Sequence, residues 1–213
     1  MTSIERKQKT ESLLKELGIP FIDHLPTVEE EDEVKIRTPK EIARRLLCLT
    51  YLCYATEDGE SKEQVIEFLK KENLWDSVTV DEKLLFTKPK LTDQERVNVS
   101  WRSEAIWLLL WTIQKVDKLD LPIDEVNIAD IVNRLPKLMS STKDFIESAT
   151  NRTTGEILDH SDLIYRLHWA TRQAELDNDI ELELNLSIIV ERHYAINWVT
   201  YYADNWDDIT TDT

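Results

Sequence analysis

With 213 residues and a hydrophobic fraction of 41%, the chain can bury most of its unfolded surface, and it is too apolar to stay disordered despite a formal net charge of −16. Three glycines and six prolines leave little material for tight hairpins, so an all-α, mostly helical fold is expected. The acidic balance repels phosphate backbones and argues against nucleic-acid binding, whereas a basic protein is a natural partner.

Helix starts are legible in chain order, because Ser or Thr followed three residues later by an acid or Gln supplies a reciprocal capping box. Thr2 with Glu5 opens a first helix that Gly18 and Pro20 stop. Residues 19–37, with two prolines and the run Glu29-Glu30-Glu31-Asp32-Glu33, break any periodicity and predict an extended connector with solvated acids. Thr38 with Glu41 opens the second helix, with Pro39 at its first position, where the missing N–H costs nothing. Gly59 separates it from a third, opened by Ser61 with Gln64, and Thr79 with Glu82 opens a fourth. From Thr92 with Glu95 the pattern predicts one long helix to about residue 117, almost wholly apolar from 105 to 110 and therefore central.

After a loop around Pro122, short helices are expected near 128–135 and 142–149, the second opened by Ser141 with Asp144. Thr153 with Glu156 starts a long helix over 154–176. The acidic segment 177–183 alternates like a short strand, but without a second strand to pair with it reads as a loop or helix start. It leads into a last long helix over about 184–203. Trp206 and Ile209 make the tail, 206–213, a docked segment rather than a free one. The spacing thus predicts a single multi-helix domain over 1–213, an N-terminal helix and acidic connector (1–37) joined to a helical core (38–213). The three long helices form its buried centre, and the N-terminal helices pack outside.

No apolar signal stretch precedes residue 8, and the longest apolar run, 105–111, is far too short to span a bilayer. A cytoplasmic protein without membrane contact is expected. Cys48 and Cys53 lie on one helix with Cα atoms roughly 8 Å apart, beyond disulfide reach, so they read as reduced packing residues.

The most informative stretches place polar groups inside apolar helices. Stepping by three and four along the long helix from Thr92 gives Val97, Trp101, Glu104, Leu108 and Trp111, so Glu104 sits in an aromatic and aliphatic stripe and needs a partner. On the last helix Val190, His193 and Asn197 share a face, and Arg192 lines up with Ile189 and Ile196. On the helix from Thr154, Ile157, Ile164 and His168 share a face, with Asp162 one turn before Arg166. Bidentate pairing of Arg102, Arg166, Arg172 and Arg192 with Glu104, Glu191, Asp159 or Asp162 would satisfy such a cluster as a closed lattice that fixes helix register. The rival reading is a pocket in which these arginines and histidines hold an anionic small ligand.

Enzyme templates fit poorly. His160 and His168 are two turns apart, no His-Glu-x-x-His element exists, and three scattered glycines make no phosphate cradle. Asp207, Asp208 and Asp212 with His193 or Glu191 offer oxygen ligands for a hard cation, and Glu104 or Glu191 beside His168 offers a general base. Neither set is complete, so no metal or cofactor is expected.

Several ordered motifs carry a resemblance. They are Arg37-Thr38-Pro39-Lys40-Glu41-Ile42-Ala43-Arg44-Arg45, Trp101-Arg102-Ser103-Glu104-Ala105-Ile106-Trp107, Ile157-Leu158-Asp159 through Tyr165-Arg166-Leu167-His168-Trp169-Ala170, Glu191-Arg192-His193-Tyr194-Ala195-Ile196-Asn197-Trp198, and Trp206-Asp207-Asp208 to Asp212-Thr213. Together they resemble a bacterial family known only as a domain of unknown function, which implies one α-helical domain with the same polar positions and no transferable chemistry. Two functions stand against each other: a non-enzymatic interaction protein, such as an acidic inhibitor or immunity-type partner of a basic protein, and a small-molecule or enzyme module built on the Arg/His/Glu/Asn cluster.

Overall fold

The computed structural model describes residues 1–57, 59, 61–177 and 182–213, and the helices cover α1 (Ser3–Glu16), α2 (Pro39–Ala55), α3 (Lys62–Lys71), α4 (Val80–Thr87), α5 (Asp93–Ser100), α6 (Arg102–Thr112), α7 (Ile128–Val132), α8 (Lys143–Glu147), α9 (Thr154–Leu176) and α10 (Leu186–Val199). No strand occurs among the described residues. Most of the acidic segment read as a loop or helix start, 178–181, lies outside them.

Reciprocal capping boxes form at Thr2, Thr38, Thr79, Thr92 and Thr153, each Thr side chain accepting from the N3 backbone while the N3 glutamate accepts from the cap. Ser61 caps α3 through Gln64 N–H. The expected Ser141–Asp144 capping box of α8 does not form, although Ser141 Oγ accepts from Lys143 N–H (3.4 Å). Thr142 stands at the N-cap, and Glu72, brought over from the end of α3, accepts from Thr142 N–H (2.7 Å) and its hydroxyl (2.9 Å). A carboxylate from another element has displaced the local one.

Helix ends are set by devices that a search for glycine overlooks. Gly18, Asn73, Gln114 and Tyr201 all have positive φ, between 56° and 69°. The residue after each donates back across the end: Ile19 to Leu14 O, Leu74 to Leu69 O, Lys115 to Leu110 O and Tyr202 to Asn197 O, at 2.8–2.9 Å. These are Schellman ends. A non-glycine residue there costs on the order of 1 kcal/mol or more, and two of the side chains offset it with contacts of their own. Gln114 donates to Asn151 O (2.6 Å), and the Tyr201 ring lies 4.0 Å from the Arg37 guanidinium.

Arginines complete these ends. Arg37 donates to the carbonyls of Trp198, Ala203 and Asp204 after α10, Arg152 to those of Trp111, Val116 and Asp117 after α6, and Arg44 to Asn73 O after α3. A cation at the negative end of a helix dipole is favourable as well as hydrogen-bonded.

The long helix expected from Thr92 to residue 117 is interrupted and shorter. Trp101 ends α5 and precedes α6, because Glu104 N–H turns to Trp101 O (3.0 Å) and the Ser100 hydroxyl takes Val97 O (2.8 Å). The far end closes at Gln114. The last helix likewise stops at Val199 rather than near residue 203.

At the centre, α6 packs against α2 on one side and α10 on the other, and α10 packs against α9. α2 is therefore not an outer helix. Its apolar side chains wrap most of its circumference, with Ile42, Leu46, Leu49 and Tyr51 buried, and its buried Arg45 is neutralised by Glu82 of α4 at 2.5–2.6 Å. α1 lies along α9 over a smaller apolar cluster of Leu14, Ile19, Leu167, Ala170 and Ile189.

Most acids of the connector are exposed, as expected for Glu29, Glu31, Asp32 and Glu33, but the segment is tied to the helices. Glu30 accepts from Ser3 N–H and hydroxyl (2.6–3.0 Å), Glu31 pairs with buried Arg6 (2.8 Å), and Pro26 O accepts from Arg166 (3.0 Å). Gly155 permits this approach, since a Cβ there would lie 3.1 Å from Glu31 Oε1.

The tail docks through Trp206, which is 4% exposed and packs edge-on against Tyr194 and Trp198 under Arg45, while its carbonyl accepts from the Tyr194 hydroxyl. Burying an indole contributes roughly 2–3 kcal/mol on area grounds. Removal of residues 206–213 is expected to lower the unfolding free energy in urea by at least that amount; an unchanged midpoint would show that the docking contributes nothing.

Candidate functional site

The residues singled out from sequence do not form one cluster. They separate into distinct pairs, most of them joining two elements. Glu104, with no exposed surface, accepts from Arg192 Nε and Nη2 (3.0 and 2.9 Å) and from Val126 N–H (2.6 Å), while Arg192 Nη1 reaches Asp120 O (2.8 Å). Asp162 and Arg166, both fully buried on α9, pair at 2.8–3.1 Å, and Arg166 leans on the connector at Pro26. Arg102 meets Glu191 at 3.0 Å in a half-buried pair between α6 and α10, with burial raising the Glu191 carboxyl above its usual range. Asp159 holds Arg6 (2.9 Å) and Lys9 (2.7 Å) across α1 and α9. Asn197 donates to Thr210 O in the tail (2.9 Å). Arg172 joins none of these; it is exposed and lies 3.9 Å from Glu175.

His168 and His193 meet between α9 and α10 with their Nδ1 atoms 2.9 Å apart, so one ring must donate and the other accept. Both rings are nearly fully buried, and burial pushes His168 down to about 4 and His193 to about 3. With both rings protonated, both Nδ1 atoms would be donors and the contact would break.

Of the two carboxylates read as possible general bases, Glu104 is held by Arg192 and Glu191 by Arg102, and His168 is engaged by His193. The cation option lapses. Asp207 Oδ2 accepts from Asp81 N–H, Asp208 from Asn205, and Asp212 from Thr210. No group of three or more His, Cys, Asp or Glu side chains among the described residues is placed to hold a metal. Cys48 and Cys53 are free thiols that burial pushes up to about 12, which makes them inert packing groups.

Two open clefts flank this lattice. One, of about 610 Å³, lies between α1, α9 and residues 117–122. Its walls are mainly apolar, with Leu13, Leu17, Leu121, Leu163 and Ile189, and Arg192 and Asp159 reach it from the lattice. His160 lines it with its ring stacked on Trp111 (centroids 4.1 Å, 28° between planes), and burial pushes it down to about 4, so it is neutral at neutral pH. The other, of about 620 Å³, lies between the start of α2, the turn before α4, and the tail. It is more polar and gathers Arg37, Arg44, Arg45, Lys83, Trp206 and Asp207.

Sequence reasoning overlooked Arg6, Arg37, Arg45 with Glu82, Arg152 and His160 as elements of these sites. For Arg6 a signal existed: Ser3, Arg6, Thr10 and Leu14 are the buried face of α1 at helical spacing. For Arg37 and Arg152, which act on the ends of distant helices, no local signal exists.

Truncating Glu104 to Ala leaves the Arg192 guanidinium buried without its carboxylate, and unfolding free energy is expected to fall by about 3–5 kcal/mol, read from urea denaturation. The histidines set a pH dependence. Unfolded, all three titrate near 6.5; folded, His160 and His168 take protons only near 4 and His193 near 3. As pH falls from 6.5 toward 4 the unfolded chain therefore gains protons that the folded chain does not, and stability is lost across that window. Replacing His168 and His193 together by Gln should flatten the decline between pH 6.5 and 5, above most carboxylate titration; an unaltered slope would mean that the pair does not carry it.

No curated protein and no solved structure matches the chain. A family model does, over residues 6–209, with the description Domain of unknown function (DUF4272). That span holds the buried pairs and both clefts, and the chain belongs to the DUF4272 family.

Proposed function

We propose that the chain binds a small, uncharged and mainly apolar molecule in the cleft between α1, α9 and residues 117–122. The observation that carries this reading is the pairing around the rim. Lys9 holds Asp159, Lys118 holds Asp120, Arg152 holds Glu156 and Arg192 holds Glu104, at 2.7–3.1 Å. The cations are already matched, so a charged ligand would gain little from them, whereas the leucine and isoleucine walls reward apolar area. A volume of about 610 Å³ suits a molecule of metabolite size. His160, neutral and stacked, supplies one donor and one acceptor in a mostly apolar lining. The ligand class is a hydrocarbon or ring body carrying a hydroxyl, carbonyl or amide.

The net charge of −16 supports a second reading, docking of a basic protein. It is the weaker one, because Glu30 and Glu31, the middle of the acidic run, are engaged by Ser3 and Arg6.

A fluorescence titration with the uncharged apolar probe N-phenyl-1-naphthylamine tests the first reading. Saturable binding of one probe per chain is expected, weakened at least about tenfold in Leu163→Glu, since a carboxylate would have to be desolvated in the wall, with the melting temperature little changed. Non-saturable binding, or indifference to Leu163→Glu, would remove the proposal; absence of probe binding together with capture of a basic protein would favour the second reading.

A further inference from the structure

The second cleft combines two kinds of unmatched charge at different depths. Its floor is basic in a chain whose net charge is −16. Arg37, 6% exposed, is anchored by Nε and Nη2 to carbonyls, and the Glu41 and Asp204 carboxylates act on its charge without forming an ion pair with it. Arg44 donates only to Asn73 O, and the Lys83 ammonium rests 5.6 Å from the Trp75 ring centroid. None of the three forms an ion pair with a carboxylate among the described residues. Arg45 also lines the cleft. Its Nη groups go to Glu82 and Ser77 O, but its Nε is buried without a hydrogen-bond partner, an arrangement that is unfavourable unless something accepts from it. The mouth, by contrast, is acidic: Asp76, Asp204, Asp207 and Asp208 are all exposed there.

Each simple ligand fails on one of these two features. A metal or organic cation attracted by the mouth meets Arg37, Arg44 and Lys83, none of them in an ion pair, and no metal-binding group of carboxylates forms among the described residues. A plain anion drawn to the floor must pass and remain beside four carboxylates. A molecule with an anionic group at one end and an ammonium at the other matches both layers.

We propose that this cleft binds a small zwitterion, whose carboxylate or phosphate is held by Arg37, Arg44 and Lys83 with Arg45 Nε as a further donor, and whose ammonium faces the aspartates of the mouth. Arg37 is pre-organised for this, because its hold on the end of α10 through Nε and Nη2 fixes the guanidinium plane. The site is separate from the apolar cleft and shares no lining residue with it.

The test uses matched probe pairs on the full chain: phosphoethanolamine against ethyl phosphate, and glutamate against glutarate, which differ only by the amine. Calorimetric titration is expected to show saturable binding of at least one zwitterion, with its amine-free counterpart weaker by about tenfold or more. Arg44→Ala with Lys83→Ala should abolish that binding while leaving the chain folded, read as a cooperative melting transition, and its N-phenyl-1-naphthylamine binding unchanged. Asp76→Asn with Asp204→Asn should act in opposite senses, weakening the zwitterion and strengthening the plain anion. Equal affinity within both pairs, binding that survives the Arg44 and Lys83 substitutions, or no saturable binding of any of the four probes at millimolar concentration would each overturn the proposal.

Discussion

A carboxylate with no exposed surface, in the first turn of an almost wholly buried helix, has to be neutralised where it stands, and the Glu104–Arg192 pair is the constraint on which much of the rest depends. Its cost of desolvation is recovered only if nearly every lone pair and N–H is satisfied. That demand reaches beyond the two helices. Val126 N–H completes the carboxylate and Asp120 O completes the guanidinium, so the irregular chain after α6 is pulled onto α10 and held there. The same segment forms one side of the apolar cleft. The cleft exists because the ion pair dictates where a loop must run.

A second regularity concerns helix ends. α6 and α10 both finish in Schellman turns without glycine, and both have an arginine, Arg152 or Arg37, donating to the carbonyls left over. Each of these arginines also lines a cleft. Helix ends leave unpaired polar groups that need partners, and the cations recruited to them bring polar chemistry to otherwise apolar packing. The two differ in their pairing: Arg152 also holds Glu156, whereas Arg37 donates to carbonyls and forms no ion pair. That difference separates a charge-matched rim from a basic floor.

The global charge is a poor guide to local electrostatics in this chain. Acids are numerous, but many are capping boxes, buried partners or anchors, as with Glu41, Glu82, Glu104 and Glu31. What a ligand meets is the remainder, and the remainder is neutral at one cleft and layered at the other.

Helix class, most helix starts and the need of Glu104 for a partner were legible in the sequence, because capping boxes and helical spacing are local: each involves residues within four positions of one another. The same locality explains the failures. Nothing near Ser141 reveals that Glu72 will take over the cap of α8, nothing near Gln114 or Tyr201 announces a left-handed residue that is not glycine, and Glu30 and Glu31 read as solvated until α1 is laid against α9. Residue types alone paired arginines with acids, but not which with which; the separation into distinct pairs, the exclusion of Arg172 and the meeting of His168 with His193 depend on how α6, α9 and α10 are rotated against one another. The sequence by itself determined which groups could not be left alone in an apolar helix, since desolvation is a property of the helix face. Only the tertiary structure decided their partners and where the open space remained, since both depend on contacts between residues far apart in the chain.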